Sequence, residues 1–199
     1  MMSENITKQD IRKEIKSLRK TLSYEWIKKQ SAILCQQLIQ TEIFKSSKTV
    51  GLYLSSKSEV QTEELINYLH EKNIKMALPK KEETLDAYYW CSYNKGDTLQ
   101  LGKHNIQEPC AKAPYSGTLD LILIPGLSFD LQGHRLGFGS GAYDRLLENN
   151  SAYKIGLGFS FQISGSIPAE KHDISMDMLA TDEELHVINP LHNSLKSVI

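Results

Sequence analysis

Arg135, Gly137, Gly139, Gly141 and Asp144 fall close together in the stretch FDLQGHRLGFGSGAYDRLLENN, which runs from Phe129 to Asn150. Each residue type has a chemical use. Glycine reaches backbone conformations with positive φ and lets a ligand come close to the main chain. Successive N–H groups in such a turn form a concavity for anions. A helix beginning near Tyr143 would add the positive end of its dipole. Arg135 offers a planar fork matched to phosphate oxygens. Asp144 offers a carboxylate to Mg²⁺, an ion that takes one or two carboxylates and completes its shell with water and phosphate oxygens. Together these residues describe a phosphate site. Two familiar phosphate loops do not fit it: the order G-x-G-x-G lacks the spacing of the dinucleotide fingerprint, and no G-K-[ST] comes after it as in a Walker A loop.

The elements that must hold this loop are legible around it. It comes after LDLILIPGLSFD, an apolar run stopped by Pro125-Gly126, which reads as a strand buried on both faces. KIGLGFSFQI is a second such run. Upstream, TVGLYLSS reads as a strand, TEELINYLHEKN as an amphipathic helix capped by Thr62, and IKMALPK as another strand, the order of a parallel βαβ unit. At the N-terminus, TKQDIRKEIKSLRKTLS places Ile11, Ile15 and Leu18 at helical spacing, with Thr7 or Asn5 as cap. Ser23 then caps a second helix, YEWIKKQSAILCQQLIQTEIF, with Trp26, Ile27, Ile33, Leu34 and Leu38 inward. The less regular middle, DAYYWCSYNKGDTLQLGKHNIQEPC, holds one or two strands and a long surface loop. The expected fold is α/β, one domain over residues 1–199: a three-layer, open, mostly parallel sheet with helices on both faces and an antiparallel edge. Such sheets bind ligands beyond the carboxyl ends of their strands, which is where the glycine loop falls.

Composition narrows the function. The 199 residues carry 23 Lys+Arg against 24 Asp+Glu, a net charge of -1, so no basic excess drives general binding to a phosphate backbone and no nucleic-acid partner is expected. The three cysteines contain no C-x-x-C pair. That argues against a zinc knuckle and for reduced thiols, with Cys35 and Cys91 as packing residues. MMSENITKQDIRKE lacks the apolar core of a signal peptide, and LILIPGL is too short to span a bilayer. The expectation is a cytoplasmic protein with no membrane partner. With no heptads or long apolar patch, it is expected to be a monomer. The histidines are scattered, and none pairs with Ser or Cys in the pattern of a nucleophilic triad.

The whole stretch LDLILIPGLSFDLQGHRLGFGSGAYDRLL resembles the signature of the 5-formyltetrahydrofolate cyclo-ligase family, with Gly133, Arg135, Leu136, Gly137, Gly139, Gly141, Tyr143 and Asp144 at matching positions. VGLYLSSKSEVQTEEL and HDISMDMLATDEEL extend the resemblance over most of the chain. It implies an ATP- and Mg²⁺-dependent closure of 5-formyltetrahydrofolate to 5,10-methenyltetrahydrofolate. The γ-phosphate moves to the formyl oxygen, and N10 attacks the activated carbon. By this resemblance, Arg135 and Asp144 are catalytic. Lys8, Arg12 and the loop residues Arg135, Leu136, Gly137, Phe138, Gly139, Ser140, Gly141, Ala142 and Tyr143 bind ATP. Leu54, Glu59 and residues Phe138 through Ala142 bind the folate, and Asp144 and Asp177 hold Mg²⁺. Lys8 and Arg12, four residues apart, share one helical face. The chain departs from the family pattern at Ala142, where many relatives have a second tyrosine, at Phe138, where they often have Tyr or Arg, and at His104, where they often have Trp. Two other readings of the residues stand beside this one: a metabolite-phosphate enzyme on a similar scaffold that does not use ATP, and a non-catalytic sensor of ATP or folate.

Overall fold

The computed structural model describes residues 6–82, 87–102, 107–110, 113–170 and 173–190. His104 lies outside them. The chain enters through α1 (Lys8–Thr21), α2 (Tyr24–Gln40) and α3 (Glu42–Ser46). Thr7 caps α1 in a reciprocal capping box with Asp10, and Ser23 caps α2 by accepting from Trp26 N–H. The single second helix expected through Phe44 is two helices. Thr41 turns extended, its hydroxyl donates to Leu38 O at 2.7 Å, and it restarts the chain by accepting from Phe44 N–H. On α1 the buried residues are Ile11, Ile15 and Arg19, whereas Leu18 is 42% exposed. The inward row thus advances in steps of four and ends on an arginine.

Among the described residues the main sheet has seven strands. In chain order they are β1 (Thr49–Gly51), β2 (Lys75–Lys81), β3 (Tyr88–Tyr93), β6 (Leu121–Pro125), β9 (Tyr153–Leu157), β11 (Met178–Ala180) and β12 (Leu185–Val187). Across the sheet they run β12-β11-β9-β6-β1-β2-β3. The five central strands are parallel, and β12 and β3 pair antiparallel at the two edges. This is the expected α/β sheet, with two antiparallel edges. The irregular middle, expected to hold one or two strands, supplies three: β3 at the sheet edge and a two-stranded ribbon, β4 (Leu99–Leu101) and β5 (Gln107–Pro109). A small second sheet combines β7 (Ser128–Asp130), β8 (Arg135–Leu136) and β10 (Ile163–Ser164).

Alternation along β6 shows why its sequence is continuously apolar. Leu121 and Leu123 join the core under α2, α3 and α4 (Glu63–Glu71), while Ile122 and Ile124 join the core on the other face with Leu146 and Leu147 of α5 (Ala142–Leu147). Helices therefore cover both faces, unequally. α1 lies over the small sheet, where Ile11 and Ile15 pack with Leu127, Leu136 and Ile167. Thr62 precedes α4 but does not cap it: its hydroxyl donates to Tyr53 O at 2.7 Å and ties down the loop after β1. Cys35 and Cys91 are buried and form no disulfide, and burial pushes the Cys35 thiol up to about 12. Among the described residues, no helix is long and apolar enough to cross a membrane.

Candidate active site

β6 ends at Pro125, and the chain beyond it forms a tightly bonded platform. Gln162 donates from its amide to both Gly126 O and Leu127 O at 2.9 Å, fixing the Pro-Gly turn. Asp130, fully buried, accepts from the N–H of Gln132, His134 and Ile167 and meets His134 Nδ1 at 3.0 Å. These bonds close the β7–β8 hairpin and aim Arg135 at the strand end. The glycine loop then turns with Gly139 at φ 110° and Gly141 at φ 64°, conformations that strain other residues. Gly141 stands at the start of the six-residue α5.

A cleft of roughly 520 Å³ opens above this platform. Every residue from Arg135 to Asp144 lines it, together with Pro125 and, from α1, Lys8 and Arg12. Residues more than a hundred positions apart thus converge, with Arg12 Nε donating to Gly137 O at 3.0 Å. Arg145 adds a further tie, donating to Ser140 O at 3.0 Å. Arg135 is buried. Its Nη2 meets Asp144 Oδ1 at 2.8 Å, its guanidinium carbon lies 5.6 Å from the centre of the Tyr143 ring, and its Nε has no hydrogen-bond partner. A buried N–H left open is costly and marks a group held ready for an acceptor. Phe138, 55% exposed, stands at the rim, with Lys16 Nζ 5.7 Å from its ring centre.

Lys8 is held by two carboxylates absent from the sequence-derived site, Glu170 at 2.9 Å and Asp173 at 2.8 Å, both of which line the cleft. Burial works to lower the Lys8 pKa, but the hydrogen bonds and charges of Asp173 and Glu170 outweigh it and raise the ammonium above its usual value. Nothing in the spacing of PAEKHDISMD announces this partnership, because it joins the two ends of the chain. Arg19 is a second such residue: its Nη2 donates to Gly126 O at 3.1 Å, at the turn that carries the platform.

Leu54 and Glu59 lie outside this lining, on the loop after β1. Leu54 packs against the core, and Glu59 is buried, its Oε2 accepting from Ser56 N–H at 2.8 Å. Glu59 is nevertheless linked to the cleft. Burial pushes the Tyr143 phenol far above its usual range, the Glu59 charge adds to that rise, and Arg135 works against it.

The structure does not bring Asp177 to Asp144. Asp177 precedes β11 at the amino ends of the parallel strands, and Asp144 lies above their carboxyl ends. The Asp177 carboxylate accepts from Lys154 N–H at 2.8 Å and from the Asn189 amide at 3.2 Å, so it fastens strand ends together. A two-carboxylate site built from this pair is therefore not assembled. Asp144 lines the cleft and only in part offers the one or two carboxylates a hard cation takes: one of its oxygens is engaged by Arg135, and among the described residues no group of three or more His, Cys, Asp or Glu is placed to hold a metal ion.

Comparison with known proteins gives one consistent result. The model of the 5-formyltetrahydrofolate cyclo-ligase family matches residues 4–182. A 5-formyltetrahydrofolate cyclo-ligase of Mus musculus is 32% identical, with 87% of this chain and 92% of the relative covered. One of Saccharomyces cerevisiae is 29% identical, with 90% and 98% covered. Among solved structures, a 5,10-methenyltetrahydrofolate synthetase of Aquifex aeolicus superposes with a TM-score of 0.82 at 32% identity, covering 93% of this chain and 94% of that one.

Proposed function

The chain belongs to the 5-formyltetrahydrofolate cyclo-ligase family, and on that premise we propose that it uses ATP to close 5-formyltetrahydrofolate into 5,10-methenyltetrahydrofolate. The observation that carries this reading is the convergence of Lys8, Arg12 and Arg135 on a glycine loop at the carboxyl ends of a parallel sheet, with the charge of buried Glu59 acting on Tyr143 of the same lining. The cations and loop N–H groups suit a triphosphate, and the Glu59 carboxylate suits the paired N–H donors of a pterin.

In the proposed reaction the formyl oxygen attacks the γ-phosphorus and the bond to ADP breaks. N10 then bonds to the formyl carbon, and the carbon–oxygen bond breaks as phosphate leaves. N10 gives up its proton to complete the methenyl product. Such a transfer rests on positioning and neutralisation of charge rather than on a side-chain nucleophile. Arg135 holds the moving phosphoryl group: its open Nε and its cleft-lining position leave it able to meet an oxygen as charge develops. Lys8 exchanges Glu170 and Asp173 for phosphate oxygens, and Arg12 keeps the loop in shape through Gly137. Asp144 would hold Mg²⁺, which when bound neutralises phosphate charge.

Mixing the protein with 5-formyltetrahydrofolate and Mg-ATP tests the reading. The methenyl chromophore is expected to appear only when ATP is present. Bound ATP without the chromophore would favour a sensor, and absence of ATP binding would favour a phosphate-metabolite enzyme.

A further inference from the structure

Two oppositely charged side chains are buried near this cleft and do not pair. Arg19, at the end of α1, is 6% exposed, and Glu59 is 9% exposed. Burial works to strip the Arg19 proton, and the charges of Glu59 and Tyr53 are what oppose it, so carboxylate and guanidinium feel one another. Yet they form no ion pair. Arg19 spends one N–H on Gly126 O, and its Nε has no partner. Glu59 spends one oxygen on Ser56 N–H. Tyr53, which also faces both charges, donates its hydroxyl to Val60 O at 3.1 Å and so bridges neither.

Burying two charges without joining them forfeits the attraction that would offset their desolvation. The arrangement makes sense when a third group supplies donors to the carboxylate and an acceptor to the guanidinium. Neither side chain lines the cleft, but each acts on its wall. Glu59 acts on Tyr143, which lines it, and Arg19 holds Gly126, next to the lining residue Pro125. Helix geometry also singles out Arg19, because the turn that would bury Leu18 buries the arginine instead.

We propose that Arg19 is a specificity-determining residue of the head-group site, reading the C4 carbonyl oxygen of the pterin while Glu59 reads its neighbouring N–H groups. This rests on the folate reading of the cleft. The edge of a 2-amino-4-oxo-pterin presents donor, donor and acceptor in a row. A carboxylate complements the two donors, and only a further donor, here the Arg19 guanidinium, complements the oxygen. A site built to meet that oxygen rejects a head group carrying an amino group at C4, because two donors would then face each other.

Calorimetric titration of wild type and Arg19→Met decides the matter, using 5-formyltetrahydrofolate, its 2,4-diamino counterpart and Mg-ATP as ligands. Wild type is expected to prefer the 4-oxo compound by roughly 10- to 100-fold. Arg19→Met is expected to lose that preference through weaker 4-oxo binding, with Mg-ATP affinity within about twofold of wild type. Arg19→Leu, which likewise removes every donor, carries the same comparison if the methionine variant does not fold. Wild-type indifference to the C4 substituent, a preference that survives in the variants, or equal loss of folate and Mg-ATP would overturn the proposal alone. Failure of wild type to bind 5-formyltetrahydrofolate would overturn the folate reading and the proposal with it.

Discussion

At the amino ends of the parallel strands, Asp120 accepts from the N–H groups of Lys48 and Thr49 at 2.8 and 2.9 Å, and Asp177 accepts from Lys154 N–H and the Asn189 amide. At the carboxyl ends, Asp144 has a single bond to Arg135, Arg135 and Arg19 each keep an unpartnered Nε, and Lys8 is held by two carboxylates that a phosphate could replace. Both ends are rich in charge. The amino end spends its charge on backbone groups of its own strands and so gains stability. The carboxyl end leaves bonds open, at a cost in stability, and the open bonds are the ones a ligand completes.

Substitutions at the two ends should therefore fail in different ways. The largest effect is expected from Arg135→Ala, with turnover lower by roughly 100- to 1000-fold. Its affinity for 5-formyltetrahydrofolate should change by less than about threefold, as read by steady-state kinetics beside calorimetry. Equal losses in both would make Arg135 a folate anchor. Asp144→Asn should raise the Mg²⁺ concentration needed for half-maximal activity roughly tenfold, and an unchanged Mg²⁺ titration would remove Asp144 from the metal site. Asp177→Ala should leave that titration and turnover unchanged while lowering stability to denaturant by about 1 kcal/mol, because Lys154 N–H loses its acceptor. A shifted Mg²⁺ requirement in that variant would give the amino end a part in catalysis.

The features legible in the sequence are those that depend on local pattern. The continuous apolar run of β6, a cap just before α1 and the glycine loop before α5 are each written in consecutive residues. The features it did not carry depend on partners distant in the chain. Leu18 has the spacing of a core residue, but the packing of α1 on the small sheet selects the row ending at Arg19. Thr62 has the residue type and place of a cap, but its hydroxyl is taken by Tyr53 O. Asp177 and Asp144 are both carboxylates near motif positions, and only the direction of the strands shows that they lie at opposite ends of the sheet. Glu170 and Asp173 reach Lys8 from 162 and 165 positions away in the chain.

On the proposed reaction the phosphoryl group passes to the formyl oxygen in the carboxyl-end cleft. The most direct measurement is a single turnover of 5-formyltetrahydrofolate carrying ¹⁸O in its formyl group, with Mg-ATP, and then mass analysis of the released phosphate. The label is predicted to leave in phosphate as the methenyl product forms. Unlabelled phosphate, with the label lost to water, would contradict the claim.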